Sequence, residues 1–228
     1  MENKDSSKKK KRRFLYEIYR NTPQEIPICE GISIDESMYD KKENRIFTLF
    51  LKGVMVYLLT MGSLGAYLSS IGCEYNAVVV NIVAFTTAII CSMLYYSYLV
   101  ENLGYLVFFI IFAFVIYVLQ KYISSGFNAI LNDTYERVSS YFDSEGVQQY
   151  AEQYENRYLT ITICASIISV IYNILLNNYI SRSVRYIAAA VIVLFFNMVP
   201  IYMELEPDFI YLIMLVAGFL ICYLIRSG

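Results

Sequence analysis

The side chains in this sequence best suited to nucleophilic or metal chemistry are five cysteines, Cys29, Cys73, Cys91, Cys164 and Cys222, and no histidine accompanies them. Without an imidazole, no Ser-His or Cys-His nucleophile pair can be assembled. HExxH zinc hydrolysis and histidine-ligated haem fall with it. The cysteines are not spaced as CxxC pairs, and three lie deep inside apolar runs. They read as small apolar packing residues rather than as a disulfide framework or a zinc site. Aspartyl chemistry within a membrane needs two facing carboxylic acids, yet no apolar run contains an Asp. The Gly62-Ser-Leu-Gly65 stretch lacks the GK[ST] ending of a phosphate-binding loop. Gly62 with Ala66, and Gly65 with Ser69, place small residues four apart, which lets helices approach closely. The sequence therefore predicts no catalytic residue, no metal ligand and no cofactor.

The remaining polar chemistry must be positioned by apolar elements. Of the 228 residues, 57% are hydrophobic, and the mean hydropathy is +0.48. A water-soluble domain is nearer 45–50% apolar, so the excess faces something other than water. Runs long enough to cross the roughly 30 Å hydrocarbon core fall at 46–71, 77–100, 103–119, 159–177, 184–203 and 209–225. They predict an all-α polytopic membrane bundle of six transmembrane helices. Turn signals separate the runs at Gly72, Glu101-Asn102, 177–185 and 204–208, and Pro207 suits the first turn of the last helix. The fourth run carries Thr162, Ser166, Ser169 and Asn173 at three-or-four spacing. Such a stripe serves either interhelical hydrogen bonding or a polar path. A transporter is expected to hold charge at midplane, whereas Lys52 and Glu101 sit at run ends.

Four segments follow: a basic segment 1–45, three helices in 46–119, a polar segment 120–158, and three helices in 159–228. With the amino terminus inside, fifteen of the 18 Lys and Arg residues are cytoplasmic. Only Lys121, Arg137 and Arg157 are then outside. The positive-inside rule thus puts both termini in the cytoplasm of a plasma-membrane protein. The first apolar run starts too far from the amino terminus for a cleavable signal peptide. Tyrosine is abundant, at 23 residues, with no Trp, and many tyrosines fall at run ends as an interfacial belt.

Two segments outside the runs carry candidate binding residues. Lys8, Lys9, Lys10, Lys11, Arg12 and Arg13 form a basic block. Each cation near anionic inner-leaflet lipid contributes about 1 kcal/mol. Aromatics follow these cations rather than interleaving with them, which disfavours nucleic acid. In the outer segment, Phe127, Leu131, Tyr135, Val138 and Phe142 keep helical spacing, while Asp133, Glu136 and Arg137 fall off that stripe. A second helix is predicted from Val147 through Tyr158, so that the segment forms an amphipathic hairpin meeting at Gly146. Its apolar stripe must lie on the interface, on a partner, or on the protein's own bundle, the last being the commonest arrangement.

The stretches Asn156-Arg-Tyr-Leu-Thr-Ile-Thr162, Ile174-Leu-Leu-Asn177 with Ile180-Ser-Arg182, and Tyr202-Met-Glu-Leu-Glu-Pro-Asp208 resemble the amino-terminal membrane region of transglutaminase-like membrane proteins of anaerobic Gram-positive bacteria. In that family the Cys-His-Asp chemistry sits in a separate extracytoplasmic domain, so no catalytic residue carries over. The resemblance implies the membrane portion of a longer protein, and the ending at Arg226-Ser-Gly228 fits a truncation. The function expected is a non-enzymatic anchor or scaffold for an extracytoplasmic domain or partner, with a small oligomeric transporter or channel as the alternative.

Overall fold

The computed structural model describes residues 37–143, 149–182 and 186–227, and every regular element among them is helical. The basic block Lys8–Arg13 lies outside the described residues. The helices are α1 (Ser37–Ile71), α2 (Ala77–Met93), α3 (Tyr98–Tyr141), α4 (Arg157–Arg182), α5 (Tyr186–Phe196), α6 (Met198–Tyr202) and α7 (Phe209–Ser227), with a 3₁₀ turn at Leu94–Tyr96 after α2. Four stretches are long and apolar enough to cross a membrane: Ile46–Ile71, Ala77–Tyr96, Val100–Tyr141 and Arg157–Ile180. Two further apolar helices, Ile187–Phe196 and Phe209–Leu224, are shorter.

The hub is α1. Leu59, Thr60 and Met61 are consecutive and wholly buried, so the helix has no free face at that level. Two glycines let α7 approach it closely. A Cβ on Gly62 would stand 2.8 Å from the backbone nitrogen of Leu215, and one on Gly65 would stand 2.3 Å from the Tyr211 ring. The small residues four apart are therefore a packing surface. Gly72 ends α1 in the left-handed region (φ +82°), and the Cys73 N–H returns to the Leu68 carbonyl at 3.0 Å. That is a Schellman ending, which only glycine adopts without strain.

Several sequence expectations change. The turn after the second apolar run lies at Leu94–Ser97 rather than at Glu101-Asn102. Ser97 caps α3 by accepting from the Val100 N–H, and Glu101 falls in the first turn, where the helix dipole favours an acid. The predicted third span and outer amphipathic helix are one helix of 44 residues. Nothing from Gln120 to Ser125 interrupts helical hydrogen bonding, and charge outside lipid does not end a helix. The second arm of the predicted hairpin is absent, since residues 149–156 are not helical. Side chains of α3 hold their backbone instead. Asn132 accepts from the Tyr150 N–H and donates to the Tyr150 carbonyl, Asn128 donates to the Ala151 carbonyl, and Ser125 accepts from the Gln153 N–H. The fifth run divides at Asn197, because Pro200 has no N–H for the Phe196 carbonyl four residues back.

The stripe Phe127, Leu131, Tyr135, Val138, Phe142 does not face this chain's core. Phe127, Tyr135 and Phe142 are 50%, 43% and 56% exposed, and Leu131 and Val138 are half-buried. The face that packs carries the small residues Ser125, Gly126 and Ala129, together with Ile130. Close contact with α4 selects this face: a Cβ on Gly126 would stand 2.1 Å from the Thr160 carbonyl oxygen. Size decided the orientation of α3 over apolarity.

Gly126→Ala is expected to destabilise the detergent-solubilised protein by about 1–3 kcal/mol, since α4 backbone must shift. Gly104→Ala meets only the flexible end of Leu94 and is expected to leave thermal melting unchanged or raised. Equal melting of the two variants would contradict the proposed α3–α4 contact.

Candidate functional site

Polar side chains gather in two places: within the bundle, and at the end where α1 finishes and α4 begins. Within the bundle they pair between helices. The Thr60 hydroxyl donates to Asn173 Oδ1 at 2.7 Å, and Asn173 Nδ2 donates to the Ala84 carbonyl at 2.8 Å and to Thr87 Oγ1 at 2.7 Å. One amide thus ties α4 to both α1 and α2. A second chain runs from Tyr172 through Ser63 to Asn197, whose Nδ2 donates to Ser63 Oγ at 2.7 Å. Tyr57 donates to Asn81 Oδ1 at 2.8 Å. In the polar stripe of the fourth run, Thr162 and Ser166 border, with Thr87, an otherwise apolar cavity of about 310 Å³ between α2, α3 and α4, and the stripe's polar groups find partners within the protein. Asn173 is wholly buried and bonded through both ends of its amide, Thr162 accepts from the Asn76 N–H, and Ser166 and Ser169 donate to their own helix.

At the Cys73 end, charge and cavity come together. Asp133 on α3 accepts from Cys73 Sγ at 3.2 Å and pairs with Arg157 at the start of α4. Arg157 also reaches the Ala129 carbonyl at 3.1 Å and Glu152 at 3.5 Å. Arg137 donates to the Ile71 carbonyl at 3.0 Å, sealing the end of α1 against α3. Glu74 and Asp208 form no ion pair among the described residues. The Tyr75 and Tyr211 hydroxyls bond each other at 2.9 Å. Two cavities open here. One, of about 350 Å³, is lined by Gly72, Glu74, Asp133, Arg157 and Tyr158 among others. The other, of about 450 Å³, lies beside Glu74, Tyr75, Tyr158, Asp208 and Tyr211. The sequence offered Cys73 as a packing residue and Glu74 and Asp208 only as turn residues, because their convergence joins the end of α1 to the start of the last helix.

The chemistry of this end is protonated and paired. Burial, then the neighbouring Asp133 carboxylate, push the Cys73 thiol well above its ordinary value of 9.0. A thiol held in that form is a hydrogen-bond donor and a poor nucleophile. Burial and the bond with Tyr211 likewise push the Tyr75 phenol up. None of the four described cysteines forms a disulfide, and all four are buried. Among the described residues, no three His, Cys, Asp or Glu side chains converge to hold a metal ion. No family model matches the chain, and no curated protein or solved structure is significantly similar to it.

The raised thiol fixes the direction of an alkaline effect. The unfolded chain loses the Cys73 proton near the ordinary thiol value, while the folded chain keeps it. This contribution is full below that value and falls by about 1.4 kcal/mol per pH unit above it. Denaturant melts of the detergent-solubilised protein from pH 8 upward are expected to show the loss, and Cys73→Ala is expected to reduce its slope. An identical slope in Cys73→Ala would contradict the buried thiol–carboxylate pair.

Proposed function

We propose that this chain is a non-enzymatic membrane scaffold of the plasma membrane, crossing six times with both termini in the cytoplasm, and that it presents the far part of α3 to an extracytoplasmic protein or domain. The observation that carries the reading is the length and exposure of α3. At 1.5 Å per residue its 44 residues extend about 66 Å, more than twice the hydrocarbon core. The charge-free stretch between Glu101 and Lys121 accounts for about 30 Å of that. The remainder is tied to α4 and to residues 149–156, and it leaves Phe127, Phe142 and Tyr135 exposed, the last with its ring beside Tyr150. Rigid aromatics on a braced helix suit a protein contact. A transglutaminase-like domain is one occupant of the kind the sequence resemblance implies.

The amino-terminal segment has a complementary role in this reading. Lys8, Lys9, Lys10, Lys11, Arg12 and Arg13 hold it on the anionic lipid of the inner leaflet, and no nucleic acid is bound. A small oligomeric transporter or channel is the rival reading. The pairing of Asn173, Thr162, Ser63 and Asn197 within the bundle favours the scaffold, because these are the polar groups a conduction path would use.

Photo-crosslinking residues placed at Tyr135 and Phe142 in living cells test the reading. Each is expected to give a discrete protein adduct, while the same probe at Leu103 gives lipid adducts. Ser140→Cys, in a chain without other cysteines, is expected to react with an impermeant maleimide from outside intact cells. Lipid adducts alone at Tyr135 would overturn the scaffold, and labelling of Ser140→Cys only after lysis would overturn the orientation.

A further inference from the structure

The 450 Å³ cavity at the Cys73 end combines features that the scaffold reading leaves unused. Three tyrosines, Tyr75, Tyr158 and Tyr211, line it with two carboxylates, Glu74 and Asp208, and no Lys or Arg is among the lining residues. Its rim and its interior differ. Glu74, Tyr158 and Asp208 are exposed, whereas Tyr211 is 8% exposed and is seated against Gly65. The Asp208 N–H is held by Ser69 Oγ at 3.1 Å, which fixes the α7 approach beside the end of α1. The nearby cations are committed elsewhere, Arg157 to Asp133 and Glu152, and Arg137 to the Ile71 carbonyl. Of the charged groups named at this end, the four carboxylates of Glu74, Asp133, Glu152 and Asp208 outnumber the guanidinium groups of Arg137 and Arg157, so the local field is net negative.

We propose that this cavity binds a methylated ammonium group. Aromatic rings attract such cations through their quadrupole, and the attraction grows as the site is desolvated. A quaternary ammonium has no N–H, so it does not require the hydroxyls of Tyr75 and Tyr211, which already bond each other. It also needs no close ring of oxygen ligands, unlike a divalent metal. Two carboxylates supply long-range charge, and three rings supply the contact surface. The cavity is open on one side and roomy enough for a substituent to lead out, as a choline head group requires. The same chemistry comes from free choline or from a choline phospholipid.

Titration of the purified full-length chain with tetramethylammonium, followed by tyrosine fluorescence or calorimetry, tests the site. Saturable binding is expected, with the Glu74→Gln/Asp208→Asn double variant and Tyr158→Ala each weakening it at least tenfold. Tyr75→Phe is expected to keep it, because the ring remains. All these variants must melt as the parent does in the same detergent; any that does not is replaced by Glu74→Gln or Asp208→Asn alone. Short-chain phosphatidylcholine competing better than choline would identify a lipid head group as the source. Choline competing better would identify a free cation. Equal competition by short-chain phosphatidylglycerol, absence of saturable binding, or undiminished binding in the well-folded carboxylate variants would overturn the proposal.

Discussion

Inside an apolar environment a polar group has only the protein to pair with, and the arrangement of this bundle follows from that constraint. Asn173 is the junction at which it is met most fully. Its amide takes a hydrogen bond from α1 and gives two to α2, so three helices are held in one register by one side chain. Each such bond contributes about 1 kcal/mol, and apolar packing alone does not fix register between smooth helices. The Tyr172–Ser63–Asn197 chain extends the same logic to the break between α5 and α6, where Pro200 removes a backbone donor. Around this polar spine α1 is buried on every side at the level of Leu59–Met61, and two apolar clusters fill the remaining space.

The same constraint relaxes at the Cys73 end, where charges appear in number. There α3 continues past the apolar bundle, and its small face (Ser125, Gly126, Ala129) is clamped to α4 by shape and by the Asp133–Arg157 pair. Residues 149–156 are pinned along it by Asn128 and Asn132. Tyr122 and Tyr154 stack with ring centroids 4.4 Å apart, which fastens this segment to α3 at a second level. The consequence is a braced strut, with one side committed and its aromatic side open. Scaffolding and cation capture would use different parts of this end, the first the exposed stripe and the second the Tyr75–Tyr211 cavity.

Much of this was legible in the sequence. The helical class, the apolar runs and the packing role of Gly62 and Gly65 follow from composition and spacing, because those signals are local. The absence of histidine excluded whole families of chemistry before any coordinate was known. What spacing did not reveal was which side of α3 packs. The apolar stripe pointed to Phe127 and Tyr135, but contact with α4 required the residue with no side chain, Gly126. Periodicity reports apolarity and is blind to closeness of approach. The non-helical course of residues 149–156 was hidden for a related reason. Its tyrosines keep helical spacing, yet the decisive bonds come from asparagines 18 and 23 positions away. The cavity of Glu74, Tyr75, Tyr158 and Asp208 draws on three chain segments and left no sequence motif.

The strut depends on α3 being one unbroken helix that carries its far part out of the apolar bundle. Spin labels at Leu103 and Tyr141, both exposed, in a chain whose native cysteines are replaced, measure this directly by pulsed dipolar spectroscopy in nanodiscs. A continuous helix predicts a backbone separation near 57 Å with a narrow distribution. A helix that ended at Lys121 and turned along the membrane surface would give about 40 Å or less, and that result would contradict the account.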